Sequence, residues 1–440
     1  MFSSTRIKSR IETLVRSCQV IERMNRNSPE VSNSENLYYH LLTEYFSNIL
    51  NAKKHGKPLA LHTVFVPAEI LYAMDIVPIH AETTTWMTAI LTGEESDVLA
   101  ESAKMGLATE ICSAHRGLAG AYGLGYLPKP DMVLWSSLQC DNTSKSGELL
   151  MDINHSPGFF IDHPFGYTTH ENDYLVQELQ DLIKFVEKQT GTRMNWSRLS
   201  ETVALMDRQI ELSRDIARLR QSVPTPFAPK RFFELLMNHY LFPGQPQAIE
   251  YLETLKSEMS EKVQKGQAVV QPERFRLMTL LVPPMYSLRF LSQIPQEHGA
   301  VSVVEPLFSL WNEGRLDPSQ PINSIARKIF MFPEMCMYGQ LGDRITGKIV
   351  QSAKEYRVDG AICYAHIGCR QASGIIKVLK DILNAIDVPM LTIDCDILDS
   401  TVTSEEEMRN KIAQFVELLE ERLVSGLSYA AKLYCHKSAR

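Results

Sequence analysis

The segment that most restricts the possible fold spans residues 359–399. It opens with the apolar run 361–365, which has the length of a buried parallel strand. A polar turn follows, and then a helical stretch whose apolar residues recur on one face. A second apolar run, 388–393, leads to the acidic residues Asp394, Asp396 and Asp399. This order predicts a strand–turn–helix–strand unit. Ligands bind such units where strands end and helices begin, and Cys369 lies at that position.

The rest of the chain repeats this alternation on either side of a helical middle. We expect a helical N-terminal segment at residues 1–56, a first α/β domain at 57–170, a helical connector or cap at 171–271, and a second α/β domain at 272–440. In the first domain, the pattern predicts a strand over 61–66 and a helix over 106–124. Alternating strands and helices predict a doubly wound parallel sheet in each α/β domain.

Bulk properties argue against several classes of protein. A chain of 440 residues with 44% hydrophobic and 22% charged residues is typical of a globular protein with two or three domains. Its formal net charge of -7 offers no basic surface for nucleic acid. No window approaches the roughly 20 apolar residues that cross a bilayer, and the N-terminus lacks the apolar run of a signal peptide. We therefore expect a cytoplasmic protein that binds neither nucleic acid nor membrane.

Nucleotide-binding loops are also missing from the sequence. It contains no GxGxxG pattern and no GxxxxGK followed by Ser or Thr. A Rossmann dinucleotide or a P-loop nucleotide is therefore not expected on this chain.

Three of the eight cysteines differ from the others in their surroundings. Cys112, Cys140 and Cys369 lie in polar segments, and each has a basic residue within the next five positions, which for two of them is Arg116 or Arg370. A nearby cation favours the thiolate, which is the form that binds metal. The remaining cysteines are typical of buried core residues. In a chain without a secretory signal, such cysteines point to metal or catalysis rather than to disulfides.

Three thiolates on one metal site leave a coordination position free, and the residues alone allow two centres. A zinc ion would take His366, His115 or water as its fourth ligand, giving a Cys3His or a hydrolytic site. An iron–sulfur cube would keep one iron without a protein thiolate, able to bind a substrate oxygen and to pass single electrons.

Four stretches resemble one known family. They are HTVFVPAEILYAMDIVPIHAE (62–82), ICSAHRGLAGA (111–121), DMVLWSSLQCDNTSKSGELL (131–150), and HIGCRQASGIIKVLKDIL (366–383) with the TIDCDILD that follows. In these stretches the chain resembles the 2-hydroxyacyl-CoA dehydratase D-component family, which includes subunits of benzoyl-CoA reductase. The resemblance covers nearly the whole chain from about residue 40.

The resemblance implies two flavodoxin-like α/β domains with a [4Fe-4S] cluster between them. It further implies that Cys112, Cys140 and Cys369 are the cluster's ligands. His366, Arg116 and Arg370 would then surround the cluster, with a turn histidine and a solvated helix face as the alternative interpretations of the first two.

The same resemblance implies an oxygen-sensitive (R)-2-hydroxyacyl-CoA dehydratase with a homologous second subunit and a separate ATP-hydrolysing iron–sulfur activator. One electron added to the thioester carbonyl would give a ketyl radical, which expels hydroxide and acidifies the β-position. Glu82 would accept or donate the proton beside the thioester, and Thr63 stands where such subunits have a serine.

Three alternatives remain open at this stage. The chain could be a benzoyl-CoA reductase-type subunit, or a homodimeric reductase with a double-cubane cluster, which would need about eight irons on one type of chain. It could also be a non-catalytic subunit whose cluster only relays electrons.

Overall fold

Two four-stranded parallel sheets organise the molecule. The computed structural model describes residues 9–28, 31–93, 95–138, 141–164, 168–306, 315–331 and 343–425. The first sheet has the strand order β2-β1-β3-β4 and contains β1 (Leu59–His62), β2 (Val77–His80), β3 (Met132–Ser136) and β4 (Gly158–Ile161). The second has the order β6-β5-β7-β8 and contains β5 (Phe275–Leu280), β6 (Ala300–Val304), β7 (Gly360–His366) and β8 (Met390–Cys395).

Both sheets follow the same topology. Within each half, the first strand in sequence pairs with the second on one side and with the third on the other, and the fourth pairs with the third. This is the strand order of flavodoxin-like domains. All neighbouring strands are parallel. The predicted fold class, two doubly wound parallel sheets flanked by helices, is therefore confirmed.

Helices cover the faces of both sheets, and this burial explains the apolar sequences of the central strands. In the first half they are α1 (Ser9–Arg26), α2 (Asn33–Asn51), α3 (Ala68–Ala73), α4 (Ala81–Thr92), α5 (Glu95–Lys104), α6 (Ser113–Gly123) and α7 (Asp141–Asn154). The middle and second half contain α8 (Thr169–Thr190), α9 (Trp196–Arg220), α10 (Phe232–Leu241), α11 (Pro246–Gln264), α12 (Arg289–His298), α13 (Pro321–Met331), α14 (Asp343–Glu355), α15 (Arg370–Asn384) and α16 (Glu405–Val424). Short 3-10 turns occur at Lys53–His55, Pro229–Arg231 and Met285–Ser287.

Two predicted elements of the first half are wrong in their extent. The strand predicted over 61–66 ends at His62, because the chain turns at Val64 and Phe65, whose φ of 67° is incompatible with a strand. The helix predicted over 106–124 begins only at Ser113. Gly106, with a φ of 84°, follows the end of α5, so the chain needs a second helix start at Cys112.

The apolar core is continuous between the two halves. One cluster of buried side chains runs from α1 and α2 through both faces of the first sheet to one face of the second. A smaller cluster, between α14, α15 and β5–β7, covers the other face of the second sheet. Within the described part of the chain, no helix is both long and apolar enough to span a membrane.

Candidate active site

The carboxyl ends of the central strands define where a ligand can bind. In a doubly wound sheet, the crevice forms between the two strands whose connections leave to opposite sides, here β1 and β3 in the first sheet and β5 and β7 in the second. Thr63 follows β1, and Cys369 follows β7 at the start of α15. The sequence between β3 and α7 contains Cys140, which lies outside the described residues.

The loops that carry Cys112 and Cys369 are in contact. Each of these two cysteines is the residue that precedes a helix, Cys112 before α6 and Cys369 before α15, and both are partly buried. A Cβ atom on Gly368 would lie 2.6 Å from the Cα of Cys112 and 2.7 Å from its backbone nitrogen. Only glycine allows this approach, so Gly368 brings the cysteine loop of the second half against that of the first.

The first turn of α7 also contacts the Cys369 loop. Asn142, in the first turn of α7, donates from Nδ2 to the backbone oxygen of Gly368 at 3.3 Å. A Cβ atom on Gly147 would lie 2.2 Å from the ring of Trp135, so α7 packs closely on β3. The first turn of α7 thus contacts the Cys369 loop, and Cys140 is the residue that precedes α7 in the sequence.

The acidic residues after β8 serve to join the two halves. Asp396 is buried, and its Oδ1 accepts hydrogen bonds from the Ser113 hydroxyl and from the backbone nitrogens of Leu398 and Asp399, the latter two at 2.9 Å each. Leu398 N also donates to the Ser113 hydroxyl at 3.1 Å. The carboxylate therefore fixes the turn after β8 and attaches it to the first turn of α6.

Arg116 holds the loop that precedes α6 by a hydrogen bond to its backbone. Its guanidinium is buried, donates from Nε to the Ile111 carbonyl at 2.9 Å, and lies 3.8 Å from Asp399. This geometry assigns Arg116 to loop positioning and not to the solvated helix face that the sequence left open.

Glu82 lies at the carboxyl end of β2, in the first turn of α4. Its side chain is 6% exposed, and Oε2 accepts a hydrogen bond from the Val64 amide at 3.1 Å. Among the described residues Oε1 has no hydrogen-bond partner. Burial raises the pKa of this carboxyl to about 7, although the hydrogen bonds from its own backbone and from Val64 oppose the change. A carboxyl group with this pKa can both take up and release a proton near neutral pH.

Thr63 is immediately adjacent to the amide that holds Glu82. The residue is 1% exposed, and within the described ranges its hydroxyl has no hydrogen-bond partner. A buried hydroxyl without a partner is costly, and this cost is typical of a group that a ligand satisfies. The structure therefore brings the two predicted catalytic residues, Thr63 and Glu82, together at the edge of the first sheet.

His115 lies between Glu82 and α7. It lies one turn after Cys112 on α6, with Nε2 3.8 Å from Glu82 Oε1 and Nδ1 2.8 Å from the Ser146 hydroxyl on α7. Burial lowers the pKa of His115 to about 4, so the imidazole is neutral at pH 7. The imidazole thus hydrogen-bonds to α7, and its other nitrogen lies near the Glu82 carboxyl without a hydrogen bond to it.

The other two predicted residues around the cysteines differ in their settings. The His366 ring is buried and donates from Nε2 to the Val282 carbonyl, while its Nδ1 lies 3.6 Å from Cys395 Sγ. Its backbone carbonyl accepts from the Cys369 amide at 3.0 Å. Arg370 is exposed in the first turn of α15.

An apolar cavity of about 280 Å³ lies along α4 beyond Glu82. Trp86 and Met87, one turn after Glu82, form one wall, and Met237 of α10 is among the residues that face them. Trp86 is 8% exposed, and its indole nitrogen has no hydrogen-bond partner among the described residues. The volume is close to the lower limit of small-molecule sites.

Fold and site together define an α/β protein with two parallel sheets, in which the loops of Cys112 and Cys369 touch and a buried carboxyl group, Glu82, lies near the helix that Cys112 precedes. A family model for 2-hydroxyglutaryl-CoA dehydratase, D-component, matches residues 63–419, so the chain belongs to that family. This confirms the resemblance found in the sequence. The chain is 21% identical to a benzoyl-CoA reductase subunit of Thauera aromatica over 443 residues, covering 92% of this chain and 99% of the relative. It is also 22% identical to the (R)-2-hydroxyisocaproyl-CoA dehydratase alpha subunit of Clostridioides difficile, covering 87% of this chain and 95% of the relative.

Two of the three predicted thiolate donors, Cys112 and Cys369, lie in loops that touch, and the third, Cys140, is outside the described residues. Among the described residues, no three His, Cys, Asp or Glu side chains are arranged as a metal site, but that set does not include Cys140. Cys112 and Cys369 stand at helix N-termini, where the helix dipole favours a thiolate. By contrast, burial raises the pKa of Cys363 to about 12 and raises that of Cys395, so these two remain protonated core thiols.

Sequence reasoning missed several buried polar residues near Glu82. His80 caps α4, and Glu69 forms a buried ion pair with Lys328 of α13. Glu69 and His80 belong to the stretch 62–82, and His80 stands two positions before Glu82 at the end of a strand. The sequence therefore indicated in part that these two residues lie near the site, but it did not indicate that Lys328 of α13 does.

Proposed function

We propose that this chain is the iron–sulfur subunit of an oxygen-sensitive (R)-2-hydroxyacyl-CoA dehydratase. It would remove water from a 2-hydroxyacyl-CoA through a ketyl radical, after one-electron activation by a separate ATP-hydrolysing iron–sulfur protein. A homologous second subunit completes the enzyme in this proposal. The observation that carries it is the meeting of the Cys112 and Cys369 loops with the start of α7, within a chain of the D-component family.

Cys112, Cys140 and Cys369 would hold a [4Fe-4S] cluster. When bound, such a cluster supplies a single electron and an iron site without a protein thiolate, which acts as a Lewis acid toward oxygen. The chain's own contribution begins with the helix N-termini at Cys112 and Cys369, which favour the thiolate forms. Gly368 and Asn142 hold the loops at a fixed separation.

Glu82 would accept the β-proton of the substrate. Its carboxyl is held by the Val64 amide and leaves Oε1 unsatisfied within the described part of the chain, as expected for an atom that meets substrate. With a pKa of about 7, it is partly ionised at neutral pH and can return the proton in a later step. The Thr63 hydroxyl would donate to an oxygen of the substrate, which relieves the cost of its burial.

The apolar cavity beside α4 would take the acyl group. It is lined mainly by apolar side chains and begins one helical turn from Glu82, so an acyl chain placed there would extend away from the reacting carbon. The unpartnered Trp86 indole could donate to a polar atom of that group.

A benzoyl-CoA reductase-type subunit is the second candidate. The similarity to the benzoyl-CoA reductase subunit covers slightly more of the chain than the similarity to the dehydratase subunit, at nearly the same identity. Both reactions begin with one electron added to a thioester, and both need a side chain beside the thioester that can take up or release a proton. They differ in their products, which are an enoyl thioester in one case and a dearomatised ring in the other.

The decisive experiment is metal analysis of the chain purified without oxygen, alone and with candidate second subunits. We expect about four irons and four sulfides per chain with broad visible absorbance. Each of Cys112→Ala, Cys140→Ala and Cys369→Ala should remove most of the iron. Cys363→Ala is the matched control, because this core thiol on β7 should leave the iron content unchanged.

Each other result would favour a different function. About eight irons per chain would indicate a double-cubane reductase and not a dehydratase. One zinc and no colour would refute radical chemistry. A full cluster with unchanged turnover in Glu82→Gln would indicate an electron-relay subunit. If the complex is active, product analysis with 2-hydroxyacyl- and benzoyl-CoA separates the two main candidates.

A further inference from the structure

Glu82 borders a second group of buried polar residues on the side away from the cysteines. A small cavity of about 30 Å³ lies between β1, β2, α3, α10 and α13. Its polar lining consists of His62, His80, Glu69, His239, Tyr240 and Lys328. A cavity of this size with several polar partners can hold one or two water molecules. Polar groups and water are the components from which a path for protons is built.

His80 connects this cavity to Glu82. Its Nδ1 lies 3.5 Å from Glu82 Oε2 and accepts a hydrogen bond from the Thr83 amide at 3.4 Å. Because Nδ1 accepts, the neutral imidazole carries its proton on Nε2. When Glu82 is protonated, its hydroxyl can donate to the same Nδ1. The ring can therefore receive a proton from Glu82 on one nitrogen and release one from the other.

His62 has the complementary protonation. Its Nδ1 donates to the Thr63 carbonyl at 3.2 Å, which leaves Nε2 as an acceptor. The rings of His62 and His80 stand edge to face with centroids 5.0 Å apart. Burial lowers the pKa of His62 to about 4 and lowers that of His80 well below its ordinary value, so neither ring stores a proton at pH 7.

Glu69 offers a place for the released proton. It is 1% exposed, and its Oε1 pairs with Lys328 Nζ. Its Oε2 is buried and has no hydrogen-bond partner among the described residues. An unsatisfied carboxylate oxygen on the wall of a polar cavity is a strong acceptor for a water molecule placed there.

We propose that His80, water in this cavity and Glu69 form a proton relay that serves Glu82. The proton on Glu82 Oε2 moves to His80 Nδ1, the proton on His80 Nε2 moves to the cavity water, and that water passes a proton to Glu69 Oε2. The carboxyl of Glu82 is then ionised, Glu69 is neutral, and His80 carries its proton on Nδ1 instead of Nε2; the reverse sequence restores all three groups. His80 and Glu69 are positioning residues, because they act on substrate only through Glu82.

The link of this relay to turnover rests on the proposed function, but its internal geometry does not. The titratable groups that face the relay are His115 of α6 near Glu82; Tyr45 of α2, His62 and Tyr240 near His80; Lys328 and Tyr72 near Glu69; and His239 on the cavity wall. All of them are unchanged in the single variants below.

The first test observes the ring nitrogens of His80 by NMR in the complete chain with 15N-labelled histidine. We expect His80 to be neutral with its proton on Nε2, and its Nδ1 signal to shift as Glu82 titrates near pH 7. In Glu82→Gln this shift with pH should disappear. A His80 protonated on Nδ1, or an Nδ1 signal with the same pH dependence in both chains, would overturn the relay.

The second test measures turnover of the assembled enzyme in water and in deuterium oxide. Glu69→Gln should lower kcat by about a hundredfold with KM unchanged and should raise the solvent isotope effect. Glu305→Gln is the matched control, because it also removes the acid of a buried ion pair, with Arg220 at 2.6 Å, far from the relay. If Glu69→Gln does not fold, Glu69→Gln with Lys328→Met avoids the unpaired buried charge.

The two tests separate the relay from the proposed function. Equal kcat and isotope effect in Glu69→Gln and Glu305→Gln would overturn the relay even in an active enzyme. An enzyme with no turnover would count against the proposed function alone, and the NMR result would then decide the relay.

Discussion

Replacing Glu82 with glutamine should change how the stability of the chain depends on pH. Burial raises the pKa of the Glu82 carboxyl from 4.5 to about 7, so between these pH values the folded chain holds a proton that the unfolded chain has released. The stabilisation from this bound proton is fully present below pH 4.5 and is lost as the pH rises through 7. A tenfold change in proton affinity corresponds to about 1.4 kcal/mol, so the total loss is about 3 kcal/mol.

Glutamine cannot ionise and therefore avoids this loss. Relative to the native chain, the free energy of unfolding of Glu82→Gln should gain about 3 kcal/mol between pH 4.5 and 7 and stay constant above that range. His80 and His115 are present in both chains, so their own protonation cancels in the difference. The assay is guanidinium unfolding of the chain at a series of pH values, followed by far-UV circular dichroism.

Glu148→Gln provides the control, because Glu148 is exposed on α7 and its removal should change stability by less than about 0.5 kcal/mol at every pH. The reasoning would be refuted if the free energies of unfolding of Glu82→Gln and the native chain differed by the same amount at every pH. It would also be refuted if the stability of the variant relative to the native chain fell as the pH rises.

Two further predictions concern the cysteine loops and the apolar cavity. Gly368→Ala places a methyl group 2.6 Å from the Cα of Cys112, so it should lower the iron content by at least roughly half. Gly374→Ala is the control, because a methyl group there has no other atom within 4 Å. It should leave the iron content unchanged and raise the free energy of unfolding by about 0.4–1 kcal/mol. Equal iron content in the two variants would contradict the close contact. Met237→Trp should fill the cavity along α4 and raise KM for larger acyl thioesters by roughly tenfold, measured against the smallest accepted substrate. An unchanged ratio of KM values would place the acyl group elsewhere.

The sequence was most informative for β7, which is buried along its whole length. The predicted run 361–365 lies within this strand, whereas the run 388–393 begins two residues before β8. The residues of β7 are apolar because helices cover both sides of the parallel sheet, so composition alone identifies the strand. The prediction over 61–66 was wrong because Phe65 has a positive φ and the Val64 amide bonds to Glu82 rather than to a strand. Such a contact between distant residues leaves no periodic signal.

The candidate site shows the same division between local and distant information. The polar neighbourhood of each cysteine was visible in the sequence, since it depends on adjacent residues. That the loops of Cys112 and Cys369 touch was not, because it depends on the packing of Gly368 against the first half of the chain. The pKa of Glu82 was equally inaccessible, since it results from burial among groups that include His115 of α6 and the turn after β1. Only the family resemblance selected these residues in advance.

The two halves contribute unequal parts to one site. The first half supplies Thr63, Glu82 and Cys112. The second half supplies Cys369 and the Asp396 carboxylate that bonds to Ser113 at the start of α6. Neither half alone contains the full set of cysteines, so a cluster held by all three would stabilise the contact between the halves in proportion to its affinity. Assembly of the cluster and closure of the domains would then be one coupled equilibrium, with Gly368 at the point of contact.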